Sequence, residues 1–157
     1  MIIVQEKPFD VGREYLAIKG ARTDIGATAM FVGTVRDISE GQEVSAMTLE
    51  HYPGMTERAL QEIEAEARSR WPIIDCLVIH RFGKLNPADD IVLVITSAEH
   101  REAAFESCQF LMDWLKTKAP FWKLEEDGEQ VRWVETKASD ELAAQKWFKV
   151  DGAARED

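Results

Sequence analysis

The sequence predicts an α+β fold in which long helices pack on a mixed or antiparallel sheet. Three observations predict it. Residues 56–71 and 97–118 carry apolar side chains at helical spacing over several turns. Between them lie two strong strand patterns, IIDCLVIHRF (73–82) and IVLVIT (91–96), joined by the turn-rich run GKLNPADD. Strands and helices also follow one another without regular βαβ alternation, which argues against a doubly wound parallel sheet. With 157 residues, 45% hydrophobic and 31% charged, the chain has the apolar content for one packed domain. That domain is expected over residues 1–148, with 149–157 as a flexible C-terminal tail.

The remaining elements follow from local chemistry. The β-branched start, residues 2–5, reads as a strand. Asp10 is a helix cap, and Gly20 suits the position just past that helix's end. GATAMFVGTVR (26–36) is rich in small and β-branched residues and reads as a buried strand, with Gly33 marking a bulge or a close backbone approach. DISEGQE (37–43) reads as an exposed loop and 44–52 as a strand. YPGMT turns the chain into the helix that bears Leu60, Ile63 and Ala67, and Pro72 ends it. Ala104, Phe105, Cys108, Leu111, Met112 and Leu115 form the expected apolar face of the second long helix, which Pro120 ends. Short strands are expected at 121–124 and 130–136, and a last helix at 139–147 with Ser139 or Asp140 as cap.

Composition removes several classes of function. A formal net charge of −10 argues against nucleic acid or an anionic membrane as partner. No apolar run approaches the roughly 20 residues that span a bilayer. The N-terminal MIIVQEKPFD has no basic region followed by a cleavable apolar stretch, so the chain is expected in the cytoplasm. Cys76 and Cys108 lie in apolar-periodic segments without metal-ligand spacing and read as buried thiols of a reducing compartment; no metal is expected. No phosphate loop, nucleophile elbow or dinucleotide fingerprint is present.

In so acidic a chain, cations that converge need a reason. Arg36 ends the small-residue strand. His100 and Arg101 open the second long helix, where the dipole disfavours cations and free N–H groups favour anions. They form either an anion site or a solvent-facing pair offset by Glu99 and Glu102. Lys116 and Lys118 close the same helix, an ordinary place for cations. Yet the run APFW (119–122) would anchor the chain beyond the break, so Lys116 and Lys123 could converge across it. A lysine in a partly apolar, cationic pocket becomes usable as a nucleophile or proton shuttle. His51 and His80 are lone histidines and read as structural, and the scattered tryptophans as core or interface residues.

FVGTVR (31–36), LEHYPGMTERAL (49–60), IHRFGKL (79–85), SAEHREAAF (97–105) and MDWLKTKAPFWK (112–123), in this order, resemble the large, catalytic subunit of molybdopterin synthase, the MoaE family. The resemblance runs from about residue 8 to 148. It implies an α/β-hammerhead-like fold with an additional small antiparallel subdomain. It implies a sulfurtransferase of molybdenum cofactor biosynthesis that needs no cofactor of its own. The substrate would be a cyclic pyranopterin monophosphate, precursor Z. The sulfur donor would be a small ubiquitin-like, MoaD-like subunit bearing a thiocarboxylate on its C-terminal Gly-Gly. The assembly would be a homodimer within a heterotetramer.

Position by position, the resemblance makes Lys116 and Lys123 catalytic. It makes Thr34, Val35, Arg36, His100, Arg101, Leu124 and Glu125 substrate-binding, together with the two lysines. Phe31 and Met112 match apolar pocket residues. Lys137 stands where some members have an arginine contributed by the neighbouring subunit. Leu124 departs from the family, some members of which have a basic residue there. Rival readings are a non-catalytic receptor for a ubiquitin-like tail and a different pterin- or nucleotide-phosphate enzyme.

Overall fold

Residues 1–135 and 137–148 are described by a computed structural model of the chain; the tail expected at 149–157, and residue 136 at the end of the predicted last strand, lie outside them. In chain order the elements are β1 (Ile2–Gln5), α1 (Val11–Lys19), β2 (Ala27–Thr34), β3 (Ile38–Ser39), β4 (Gln42–Glu43), β5 (Ala46–His51), α2 (Met55–Arg70), β6 (Ile73–Arg81), β7 (Gly83–Leu85), β8 (Asp90–Ala98), α3 (Arg101–Lys118), β9 (Phe121–Glu126), β10 (Val131–Val134) and α4 (Ala138–Gln145). The first sheet has the order β1-β6-β8-β2 and the second β10-β9-β5-β7. In the first, β1 runs parallel to β6 and the other pairs are antiparallel; the second is antiparallel throughout.

The first sheet is covered on both faces, which explains why β6 and β8 read as continuous apolar runs. One face carries Ala29, Cys76, Val78, Val92 and Val94 against Leu60, Ile63 and Ala67 of α2 and Ala104, Phe110, Leu111 and Leu115 of α3. The opposite face carries Leu77, Ile79, Leu93 and Ile95 under Phe9, Val11, Tyr15 and Ile18 of α1 and its approach. Asp10 caps α1 by accepting from Arg13 N at 2.9 Å, and Gly20 closes it with φ 45°. A separate small core of Val35, Met47, Leu49 and Leu85 ties the second sheet to the end of the first.

Four boundaries differ from expectation. The loop predicted at 37–43 contains the β3–β4 ribbon, because Glu40 and Gly41 both adopt the positive φ that a tight two-residue hairpin needs. Part of the predicted turn GKLNPADD is strand β7: fully buried Leu85 finds a place beside β5, and the turn shrinks to Asn86–Asp89, closed by Asp89 N to Asn86 O at 3.0 Å. Helix α3 begins at Arg101 instead of 97, since Ser97 and Ala98 continue the ladder of β8 with β2 and β6. Helix α4 starts at Ala138 behind Lys137 instead of Ser139 or Asp140, and Trp147 beyond it anchors on α3 through Nε1 to Asp113 Oδ2 at 2.8 Å.

Where β8 turns into α3, the chain passes directly over Gly26. A Cβ built on Gly26 would lie 2.1 Å from the carbonyl oxygen of Glu99, and a backbone atom cannot rotate away. Gly26→Ala should therefore cost about 1–3 kcal/mol and lower the thermal midpoint by several degrees, at roughly 2–4 °C per kcal/mol. A melting curve that overlays wild type would show that this junction yields freely.

Candidate active site

The two sheets and the end of α3 enclose a cleft of about 480 Å³. Its floor is a row across the first sheet: Gly33 on β2 faces Val92 on β8, which faces His80 on β6. Gly33 permits this floor. A Cβ there would sit 2.7 Å from Val92 Cγ1, and the strand bulges between Gly33 and Thr34. Phe31, Met112, Leu115 and Phe121 supply apolar wall. Arg36, Lys116, Lys123 and Lys137 supply positive charge from four separate segments.

The chain break after α3 brings the two central lysines together. Ala119 is extended (φ −72°, ψ 128°), as a residue before proline should be. Pro120 leads directly into β9, which pairs with β5 from His51↔Phe121 to Ala46↔Glu126. Alternation along β9 then turns Phe121, Lys123 and Glu125 to the cleft and Trp122 and Leu124 to the other face.

Carboxylates accompany the cations. Lys123 Nζ lies 2.7 Å from Glu125 Oε1, and Arg132 Nη2 lies 2.8 Å from Glu125 Oε2. Burial alone would push the Glu125 carboxyl up, but hydrogen bonds from Lys123 and Arg132 outweigh it and hold it below the usual carboxylate range. Arg132 also bonds Gln42 and the carbonyl of Ser39, 3.2 Å away, so one buried anion ties the β3–β4 ribbon to the cleft wall. Lys116 is held far more loosely: its side chain is half exposed and its nearest carboxylate, Asp140 Oδ1, is 3.7 Å away. Lys137 lies at the rim of its own chain's cleft, 3.6 Å from Glu40 Oε1. Arg36 is exposed at the rim and forms no ion pair among the described residues.

Of the residues singled out in the sequence, Phe31, Thr34, Arg36, Met112, Lys116, Lys123, Glu125 and Lys137 line this cleft. Thr34 Oγ1 donates to Asp90 Oδ1 at 3.0 Å. The Val35 side chain turns into the small core, and its backbone N and O bond Asp89 and Ala88. Leu124 is on the outer face of the second sheet. His100 and Arg101 are exposed at the opposite end of α3, about 24 Å from Lys116 at a helical rise of about 1.5 Å per residue. Lys118 points at the Trp114 ring, 3.8 Å from its centroid, in a cation–π contact. Sequence reasoning missed Arg132 and Asp140, whose partners are distant in the chain, and it passed over His80.

The family model of the MoaE protein matches residues 4–118. The chain belongs to the MoaE family. It is 54% identical over 146 residues to the molybdopterin synthase catalytic subunit of Ralstonia nicotianae, covering 93% of this chain and 83% of that protein. It is 53% identical to the molybdopterin synthase catalytic subunit of Escherichia coli, covering 93% and 97%. Among solved structures, the molybdopterin biosynthesis MoaE protein from Burkholderia ambifaria superposes with a TM-score of 0.81 at 51% identity, covering 94% and 97% of the two chains. Molybdopterin synthase from Staphylococcus aureus superposes with a TM-score of 0.78 at 26% identity, covering 85% and 96%.

Both cysteines stand apart from the cleft. Cys76 and Cys108 are buried and free, and burial pushes their thiols up to about 12 and about 11. Each is therefore protonated at neutral pH. Native protein at pH 8 should leave both unreacted with a thiol reagent over minutes, and denaturant should expose two equivalents. Rapid labelling of the folded protein would contradict this burial.

Proposed function

We propose that this chain is the catalytic subunit of a molybdopterin synthase. It transfers sulfur from the thiocarboxylated C-terminus of a small ubiquitin-like subunit to cyclic pyranopterin monophosphate, forming the dithiolene of molybdopterin. The observation that carries this reading is the convergence of Lys116, Lys123 and Arg36 on one apolar-walled cleft in a protein of net charge −10. Such a cleft suits a phosphate-bearing heterocycle and the anionic end of an extended peptide tail.

The geometry supports a division of labour. Lys123, fixed against buried Glu125, is a stationary cation that orients anions and passes a proton. Lys116, on the last turn of α3 with only a long contact to Asp140, is free to reach the reacting atoms, where it activates the substrate or stabilises the acyl intermediate. The thiocarboxylate sulfur attacks a carbon of the pterin's side ring. Each completed transfer exchanges oxygen for sulfur, and the carrier leaves as a carboxylate. Arg36 holds the phosphate at the rim, and Phe31 and Met112 pack the pterin. The carrier's globular body docks on the outer face of the second sheet, where Trp122 and Trp133 are exposed. We assign the reaction to the cytoplasm, where buried free thiols persist. Among the described residues, no helix is long and apolar enough to cross a membrane.

His100 and Arg101 lie too far from Lys116 to serve the same anion within one chain. In a homodimer, the α3 start of one protomer completes the cleft of the other.

Purified protein with the thiocarboxylate form of the carrier should convert precursor Z to molybdopterin, and the carboxylate form should not. Lys116→Ala should abolish turnover while remaining folded and dimeric; near wild-type product formation by that variant would sink its assignment. Separately, Arg36→Ala and the double variant His100→Ala/Arg101→Ala should each weaken pterin-phosphate binding by about 1.5–3 kcal/mol per charged hydrogen bond lost, read by calorimetry. At a pterin-phosphate concentration too low to saturate the double variant, mixed dimers of Lys116→Ala with that double variant should turn over faster than either parent; failure to complement would overturn the shared-cleft arrangement.

A further inference from the structure

The floor of the cleft holds a polar side chain that the chemistry above leaves idle. Along β6, Cys76, Val78 and His80 take alternate positions on the helix-covered face. The first two lie in the main core, and the third lines the cleft. His80 is only 6% exposed, and its environment defines its state. Nδ1 is 2.8 Å from the carbonyl oxygen of Arg81, which can only accept, so Nδ1 carries the proton. Burial, with a smaller contribution from nearby His51, pushes the ring's pKa down to about 4 despite that backbone hydrogen bond, so the imidazole is neutral at pH 7. Nε2 is then an acceptor, and it has no partner among the described residues.

The ring is also immobilised. It lies flat on Phe121, with centroids 3.7 Å apart and 16° between planes, and Phe121 is held by the β9–β5 pairing. Of the other carboxylates that line the cleft, Glu125 is held by Lys123 and Arg132 and Asp140 stands 3.7 Å from Lys116, whereas Glu135 is exposed to solvent. The neighbours of His80 in the floor row, Val92 and Gly33, offer no polar side chain.

We propose that His80 is a substrate-recognition residue: its Nε2 accepts a hydrogen bond from an N–H of the pterin ring and fixes how the heterocycle lies once its phosphate is on the cations. This rests on reading the cleft as a pterin-phosphate site. Arg36 and the lysines can hold the phosphate end, but point charges do not select the rotation of a flat ring about that end. A pterin carries several N–H donors, and a neutral imidazole nitrogen on the floor complements one of them. A charged imidazolium would present a second donor there and repel it.

The test uses the protein in complex with the unreactive carboxylate form of its carrier. His80→Asn keeps a donor for Arg81 O and removes the acceptor; His80→Gln restores an amide near the Nε2 position; His80→Phe keeps the stack on Phe121 alone. Calorimetry should find pterin phosphate bound about tenfold more weakly by His80→Asn and His80→Phe, with most of the affinity regained in His80→Gln. Competition by inorganic phosphate and carrier affinity should stay at wild-type values. Unchanged pterin affinity in His80→Asn would overturn the proposal, as would a parallel loss for inorganic phosphate, which would mark a structural effect on the cationic rim. If His80→Asn does not fold, equal affinities of the Gln and Phe variants would overturn it instead. Failure of wild-type protein to bind pterin phosphate would overturn the reading of the cleft itself, and this inference with it.

Discussion

The site depends on one covalent constraint, the proline that ends α3. Pro120 cannot donate to the helix and forces Ala119 into extended backbone, so the chain changes from helix to strand within two residues. Because that strand is β9, paired along its length with β5, the break joins a helix packed on the first sheet to the middle of the second. Lys116 lies one turn before the break and Lys123 three residues after it. Both reach the same cleft because the chain has no slack between them.

Around this junction, rigidity grades from floor to rim. The floor is the row Gly33, Val92 and His80, at the end of β6 and the start of β8, in a sheet covered on both faces. The wall with Lys123 is held by an internal anion, Glu125, whose two oxygens are taken by Lys123 and Arg132. Removing both partners would leave a buried charge unmatched, which is far costlier than losing a surface pair. The rim is made of short pieces: the β3–β4 ribbon, the Arg36 corner and the start of α4 with Lys137 and Asp140. A site that must admit both a small heterocycle and a peptide tail is well served by a fixed floor under a less constrained edge.

The acidic balance of the chain belongs to this arrangement. The lysines in the cleft are not bare: Glu125, Asp140 and Glu40 stand beside Lys123, Lys116 and Lys137 at 2.7, 3.7 and 3.6 Å. The contacts differ in tightness, and that difference separates a positioned cation from a mobile one. Arg36 and Arg101 make no ion pair among the described residues, which leaves them to an incoming anion.

Local sequence determined what depends on neighbours in the chain. Asp10 and Gly20 bound α1, Pro72 and Pro120 end the long helices, and the β-branched runs of β6 and β8 specify strands buried on both faces. KTKAPFWK was legible as a lysine, a break and a second lysine, Arg36 stood out as a cation ending the small-residue strand, and the family resemblance drew attention to Phe31 and Met112. Tertiary structure decided what depends on long-range pairing. Leu85 makes a strand of a turn-rich segment because β5 offers it an edge. Arg132 supports the cleft wall through Glu125, and Asp140 lines the cleft beside Lys116, through pairings that chain spacing does not reveal. His100 and Arg101, adjacent in sequence to the site's own helix, are carried to its far end by the helical rise. His80 looked like any lone histidine, since a periodic strand pattern records which face a side chain takes but not where along that face the core ends and the cleft begins.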